Sequence, residues 1–378
     1  MEFGLFNSLY VPREHPLDLN GAQISEASRL RDEIELVKAA DRAGFKYTWA
    51  TEHHFLDEYS HLSANEAFLG YLAAATERIH LGSGIFNITP PVNHPARVAE
   101  KVAMLDHLSG GRFEFGVGRG SSTTEQLGFG IQESELTREM VDETLPEIVR
   151  MWKATDYSYE GRFFSMPTRN VLPKPLTDPH PPLWVAAGSP GTFKKAAEMG
   201  IGVLCFAQAS MDDLAKLIAV YKEEIERCEN PVGGYVNNNV MITSQLMCLE
   251  DGRRAREVAA AMGSGYHQTL LWKYLDTFPR PQWVNDLGGR IPEMDVATLD
   301  AIIAARQMCV GTPEEVAGAV EAVRAIGADQ LVFGMLSTSM PIDVAIESVQ
   351  TFGRQVLPQF DTDPVHSTTR QRQAQLGG

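Results

Sequence analysis

The stretch NHPARVAEKVAMLDHLSGGRFEFGVGRG, Asn93 to Gly120, reads as one complete helix-to-strand unit. Val98, Val102 and Leu105 fall at i, i+4 and i+7, which puts them on one face of a helix. Gly110-Gly111 stands where a left-handed C-cap is expected, and Arg112 to Val117 follows as a strand with Phe113, Phe115 and Val117 alternating on one face. The same unit recurs outward in both directions. Leu30/Ile34/Val37 and Val316/Val320/Val323 repeat the helical spacing, and Gly44 closes the first helix. Candidate strands run Glu2 to Phe6, Tyr47 to Thr51, Ile79 to Phe86, Arg112 to Val117, Leu183 to Ala187, Gly202 to Phe206, Asn239 to Cys248 and Gln330 to Phe333.

Strand and helix alternating over the whole length demand parallel strands with right-handed crossovers, in either an open doubly wound sheet or a closed barrel. Eight units, and a first βα loop without G-x-G-x-x-G, favour an α/β (β/α)8 TIM barrel forming one domain over residues 1 to 360. Asn170 to Pro182 is a Pro-rich surface connection and not a domain linker. Two segments depart from the repeat. Tyr266 to Pro292 is a long, aromatic-rich insertion late in the chain, read either as a lid over the site or as a subunit interface or structural insertion. Asp361 to Gly378 holds almost nothing apolar and is expected to be a polar tail, frayed or docked on a partner.

Composition narrows the function classes. The chain has 378 residues, 33 basic against 49 acidic side chains for a net charge of −16, and 44% hydrophobic residues, which is globular. No Lys/Arg-rich run offers the footprint that nucleic acid requires. The apolar runs are strand-sized, well short of the roughly 20 residues of a membrane span. Met1-Glu2-Phe3-Gly4 carries no basic or apolar signal pattern, so a cytoplasmic location is expected. Cys205, Cys228, Cys248 and Cys309 show no C-x-x-C spacing, and no metal site is expected.

In such a barrel the chemistry sits at the C-terminal ends of the strands. After the second strand comes Thr51-Glu52-His53-His54-Phe55. Adjacent residues diverge on leaving a strand, so one histidine suits general acid/base work better than the two suit a shared metal; a loop histidine satisfied by the backbone is the plainer alternative. After the fourth, Gly118-Arg119-Gly120-Ser121-Ser122 offers a guanidinium between glycines, able to grip an anion bidentately or to stand as a solvated charge. After the fifth, Gly188-Ser189-Pro190-Gly191-Thr192 opens a helix and makes an anion site or a simple cap. A rival phosphate site, Gly334 to Ser339, occupies the more usual barrel location.

Taken together, the loops resemble the bacterial luciferase-like family of flavin-dependent monooxygenases. The resemblance is carried by MEFGLF, GFKYTWATEHHF (Gly44 to Phe55), IHLGSG, Asn93 to Gly120, VAAGSP (Val185 to Pro190), VGTPEEVAGAV and LPQF, from residue 1 to about residue 360. It implies a barrel that takes reduced FMN from a separate NAD(P)H:flavin reductase and reacts it with O2 through a flavin C4a-peroxy intermediate. His53 matches the catalytic histidine, and Arg119, Ser189 and Thr192 match positions gripping the FMN phosphate. Gly188 and Ser121 would add backbone contacts, and Asn87 joins the cofactor-binding set. The resemblance thus favours the fifth-strand phosphate site, places a mobile loop at Tyr266 to Pro292, admits a cis peptide near Gly84-Ile85, and makes a homodimer the expected assembly.

One departure bears on chemistry. Gly118 stands where the light-emitting subunit has a reactive cysteine, so oxygenation of a small organic substrate without luminescence is the expected activity. Phe6, Asn87, Phe206, Gln208, Trp272 and Trp283 are candidate lining residues and favour an apolar aldehyde, ketone or similar compound. The alternatives are F420-dependent hydride transfer, to which the E-H-H-F loop is less similar, and a non-catalytic flavin-binding subunit.

Overall fold

The structure, a computed structural model, describes residues 1–13, 16–57, 59–205, 210–262, 295–336 and 339–377. The strands are β1 Glu2–Asn7, β2 Tyr47–Ala50, β3 His80–Ser83, β4 Phe86–Asn87, β5 Phe113–Gly118, β6 Tyr157–Glu160, β7 Ser165–Arg169, β8 Leu183–Ala186, β9 Gly202–Cys205, β10 Val240–Ser244, β11 Leu246–Cys248, β12 Cys309–Gly311 and β13 Gln330–Gly334. Every pairing around the barrel is parallel, in the order β1-β2-β3-β5-β8-β9-β10-β13, and β13 returns to β1 with Phe3 opposite Leu331. The eight-stranded closed barrel is the expected one.

Its strands differ from the sequence reading in two places. The third breaks at Gly84-Ile85, a cis peptide, and resumes as β4 against Phe86↔Val117. The segment Asn239 to Cys248 also divides. Its first part, β10, is a barrel strand, and β11 leaves to pair with β12 in a small parallel side sheet. Among the described residues no helix is long and apolar enough to cross a membrane.

Alternation along the strands builds two cores. Phe113, Phe115 and Val117 face outward and pack with Val98, Val102 and Leu105 of helix Pro95–Ser109 in the layer between strands and helices. Inside the barrel lie Phe6, Tyr47, Trp49, Trp184, Leu204, Met241 and Val332. Two tryptophans fit there only because glycines face them: a Cβ on Gly82 would run into the Trp49 ring, and one on Gly202 would lie 2.5 Å from Trp184 Cε3.

The first helix, Glu26–Ala43, corrects the expected face. Leu30 is exposed and Ile34 half-buried, while Arg29, Glu33, Leu36, Val37 and Ala40 turn inward. The loop after β1 is the reason. Arg29 Nε donates to the Tyr10 carbonyl at 3.0 Å, and the Glu33 carboxylate accepts from the Leu9 N–H at 3.2 Å and from Asn7 Nδ2. Two polar side chains are buried because a loop backbone needs partners.

The polar C-terminal stretch is likewise not frayed. Ser367–Leu376 is a helix lying beneath the barrel. Glu2 accepts from the Ser367 N–H at 2.9 Å and hydroxyl at 2.6 Å, and Glu114 Oε1 accepts from Thr368 Oγ1 at 2.7 Å. The barrel floor is polar, so a polar segment closes it. Burial pushes the Glu114 carboxyl up to about 8 and the His80 imidazole down to about 3. Both shifts disfavour the charged forms, so their 2.8 Å contact is a buried hydrogen bond rather than a strong ion pair.

Candidate active site

The loop leaving β2 carries both histidines, and they diverge as expected. The His53 ring is held through Nδ1 by Glu125 Oε1 at 3.0 Å and packs edge-on against Tyr59 with centroids 4.7 Å apart. Its backbone N–H donates to the Leu62 carbonyl at 3.3 Å. The His54 ring turns instead to Glu52 Oε1, 3.2 Å from Nε2, and lies edge-on to Phe129. The His53 side chain is 12% exposed, so the ring is seated rather than solvated.

Glu52 joins the loop after β2 to the one after β4. Its buried carboxylate accepts from the Asn87 N–H at 3.2 Å and from Asn93 Nδ2 at 2.8 Å, besides meeting His54. Asn87 itself is committed to local structure, its Oδ1 accepting from the Thr89 N–H and hydroxyl at 3.1 and 2.7 Å. Asn65 Nδ2 bridges the carbonyls of Ala50 and Ile85 at 3.2 and 3.3 Å. The mouth of the barrel is thus fixed by polar side chains that reach from one loop to the next.

Arg119 lies two residues beyond Val117, and Ser189 four residues beyond Val185. Val117 pairs with Val185 across β5 and β8, so both groups stand on neighbouring strand ends. The Arg119 guanidinium donates to Thr137 Oγ1 at 3.0 Å and to the Ser134 carbonyl at 3.5 Å, and burial lowers its pKa from the ordinary arginine value. Ser189 caps helix Pro190–Glu198, accepting from the Thr192 N–H at 3.4 Å, with the two hydroxyls 3.0 Å apart. The Gly191 N–H, in the first turn, has no intrahelical acceptor. A Cβ on Gly188 or on Gly191 would meet nothing within 4 Å, which leaves this helix start open to a ligand. Guanidinium, hydroxyls and helix N–H groups are the donor types that a phosphate takes, and they stand here on adjacent strand ends.

Ser121 turns toward Glu125. Its N–H and its hydroxyl both donate to Glu125 Oε2 at 3.3 Å. At the rival phosphate site Met335 and Leu336 are buried and apolar, and Ser339 Oγ donates to the Met262 carbonyl at 3.1 Å. Ser337 and Thr338 lie outside the described residues, as do Phe206, Gln208, Trp272, Trp283 and the insertion Tyr266 to Pro292. Phe6 is buried inside the barrel, 3.6 Å from a Cβ placed on Gly84.

Glu125 is the residue that sequence reasoning missed. It sits in the first turn of helix Thr123–Gly128, whose N-cap Ser122 accepts from the Glu125 N–H at 3.2 Å. The signal was present: Ser122-Thr123-Thr124-Glu125 has the S-x-x-E spacing that marks a helix start. Burial by itself would raise the Glu125 carboxyl. Contact with His53, together with the N–H groups of His54 and Ser121, outweighs burial and holds it below the usual glutamate range.

A family model described as luciferase-like monooxygenase matches residues 7–330. The oxygenase component of a flavin-dependent trigonelline monooxygenase from Acinetobacter baylyi is 26% identical over 369 residues, covering 95% of this chain and 96% of the relative. Two solved structures share the fold: a monooxygenase from Streptomyces bottropensis, at 24% identity and TM-score 0.77, covers 96% of this chain and 100% of its own. The second is the oxygenating constituent of 3,6-diketocamphane monooxygenase from Pseudomonas putida in complex with FMN, at 18% identity and TM-score 0.75, with 96% and 99% covered.

Proposed function

The chain belongs to the luciferase-like monooxygenase family, and from that premise we propose that it is the oxygenase component of a two-component system. It takes reduced FMN from a separate NAD(P)H:flavin reductase and uses O2 to oxygenate a small, largely apolar organic substrate, such as an aldehyde or ketone, in the cytoplasm. The observation that carries this reading is the pairing of a phosphate-type donor set on β5 and β8 with a seated imidazole on β2.

Bound reduced flavin supplies the electrons that activate O2. The chain's own residues supply the rest. Arg119, Ser189, Thr192 and the helix start would hold the phosphate, with Gly188 leaving room for it. His53 would take or give a proton at the reacting edge. The apolar barrel interior under the mouth, with Phe6, Trp49 and Trp184, keeps water out from below.

Arg119→Ala tests the phosphate assignment. FMN affinity is expected to fall about 10- to 100-fold, the worth of a charge-assisted contact, while riboflavin affinity stays unchanged. Equal loss for both in titration calorimetry would overturn the role. The activity is tested with reductase, FMN and labelled O2 over a panel of apolar ketones and aldehydes. Label in the product supports the oxygenase reading; substrate-dependent bleaching of F420 without O2 would replace it by hydride transfer.

A homodimer is part of the proposal. Tyr71 on helix Asn65–Ala75 and Met104 and Leu108 on the adjoining Pro95–Ser109 are large apolar side chains exposed together. Sedimentation of the full chain is expected to give a dimer that Leu108→Lys dissociates; a wild-type monomer at micromolar concentration refutes it.

A further inference from the structure

Glu125 does more than brace its own helix. One carboxylate oxygen, Oε1, meets His53 Nδ1 at 3.0 Å and accepts from the His54 N–H at 3.1 Å. The other, Oε2, accepts from the Ser121 N–H and hydroxyl, both at 3.3 Å, and from the Ser122 hydroxyl at 3.2 Å. The side chain is 3% exposed. Leaving the ring aside, two backbone N–H groups and two hydroxyls converge on its oxygens, the arrangement that suits an ionised, acceptor-only carboxylate. No proton is left on Glu125 to give to the ring. The His53 contact therefore requires Nδ1 to be the protonated nitrogen, and in the neutral imidazole the lone pair sits on Nε2.

The same carboxylate spans two loops that are not neighbours in the barrel. His53 and His54 follow β2, Ser121 and Ser122 follow β5, and β3 lies between those strands. Arg119 is two residues before Ser121 on the held backbone. We propose that Glu125 is a positioning residue that fixes His53 as its Nδ1–H tautomer and ties that ring to the Arg119 loop, so that one carboxylate sets both the proton-handling nitrogen and its distance from the phosphate grip. This rests on the proposed flavin oxygenase for its consequence in turnover, but the tautomer itself is a property of the chain alone.

Long-range nitrogen–proton NMR of the full chain labelled with 15N-histidine, with no flavin added, reads the tautomer directly, and His53→Ala assigns the signal. Neutral His53 is expected as Nδ1–H in the wild type. In Glu125→Ala the acceptor that faces Nδ1 is gone, so the Nδ1–H preference is expected to be lost. In the reductase-coupled assay the same variant is expected to lose about 10- to 100-fold in product formed, with hydrogen peroxide released instead. Its FMN affinity should fall less than that of Arg119→Ala. A wild-type His53 found as Nε2–H overturns the proposal even if the variant fails to fold. A Glu125→Ala protein that keeps the Nδ1–H tautomer and full coupling overturns it as well. A correct tautomer in a protein that never oxygenates with reduced FMN leaves the positioning standing and removes the oxygenase reading.

Discussion

His53→Ala retains FMN binding and loses about 10²- to 10⁴-fold in product formation, with hydrogen peroxide accumulating in place of product. The size follows from what the ring is placed to do. General acid/base groups contribute on that scale, and the other described histidine of the loop cannot substitute, because His54 Nε2 is engaged by Glu52 at 3.2 Å. FMN binding survives because the phosphate donors stand on β5 and β8, while His53 leaves β2. Removing the ring also exposes Tyr59 to the space it filled, and that cost falls on local packing rather than on the phosphate grip. The check is product against peroxide per NAD(P)H consumed, with FMN affinity measured on the same preparation. Unchanged coupled turnover would refute the assignment; a parallel loss of FMN affinity would make the residue a binding group.

Gly82→Ala destabilises the fold by about 3 kcal/mol, the upper end of ordinary overpacking costs. The new methyl would lie against Cε3, Cζ3 and Cδ2 of Trp49, all nearer than 3.0 Å. The ring has nowhere to go. It is fully buried, edge-on to Trp184 at 5.2 Å and stacked on Tyr47 at 6.3 Å. By contrast Gly191→Ala, where a Cβ meets nothing within 4 Å, leaves stability close to wild type and serves as the control. Guanidinium unfolding midpoints of the two variants decide the matter; equal midpoints would mean that the barrel interior repacks freely around residue 82.

Much of the fold was legible because periodicity is local. Val98, Val102 and Leu105 lie within two helical turns, and their face is buried as read. The same rule failed for the first helix, where hydrogen bonds of the loop after β1 turned Arg29 and Glu33 inward and left Leu30 outside. Hydrophobic patterning assumes that the buried face is the apolar one. It failed again at Ser367–Leu376, a helix of almost purely polar residues held by the carboxylates of Glu2 and Glu114. Of the candidate site, His53, Arg119, Ser189 and Thr192 were visible as residues that follow strands. The partners of His53 and Arg119, which are Glu125 and Thr137, were not.

The sequence by itself determined the alternation of strand and helix, which depends on residues within a turn or two of one another, and that alternation in turn implied parallel strands and the loops from which chemistry is presented. Only the tertiary structure decided which carboxylate each histidine meets and which way the first helix faces. It also decided that a polar tail closes the barrel floor. Those contacts join residues 72 positions apart at His53 and Glu125, and 365 apart at Glu2 and Ser367. Such pairs come within reach only when the barrel closes, and buried polar groups then take the partners that closure brings to them.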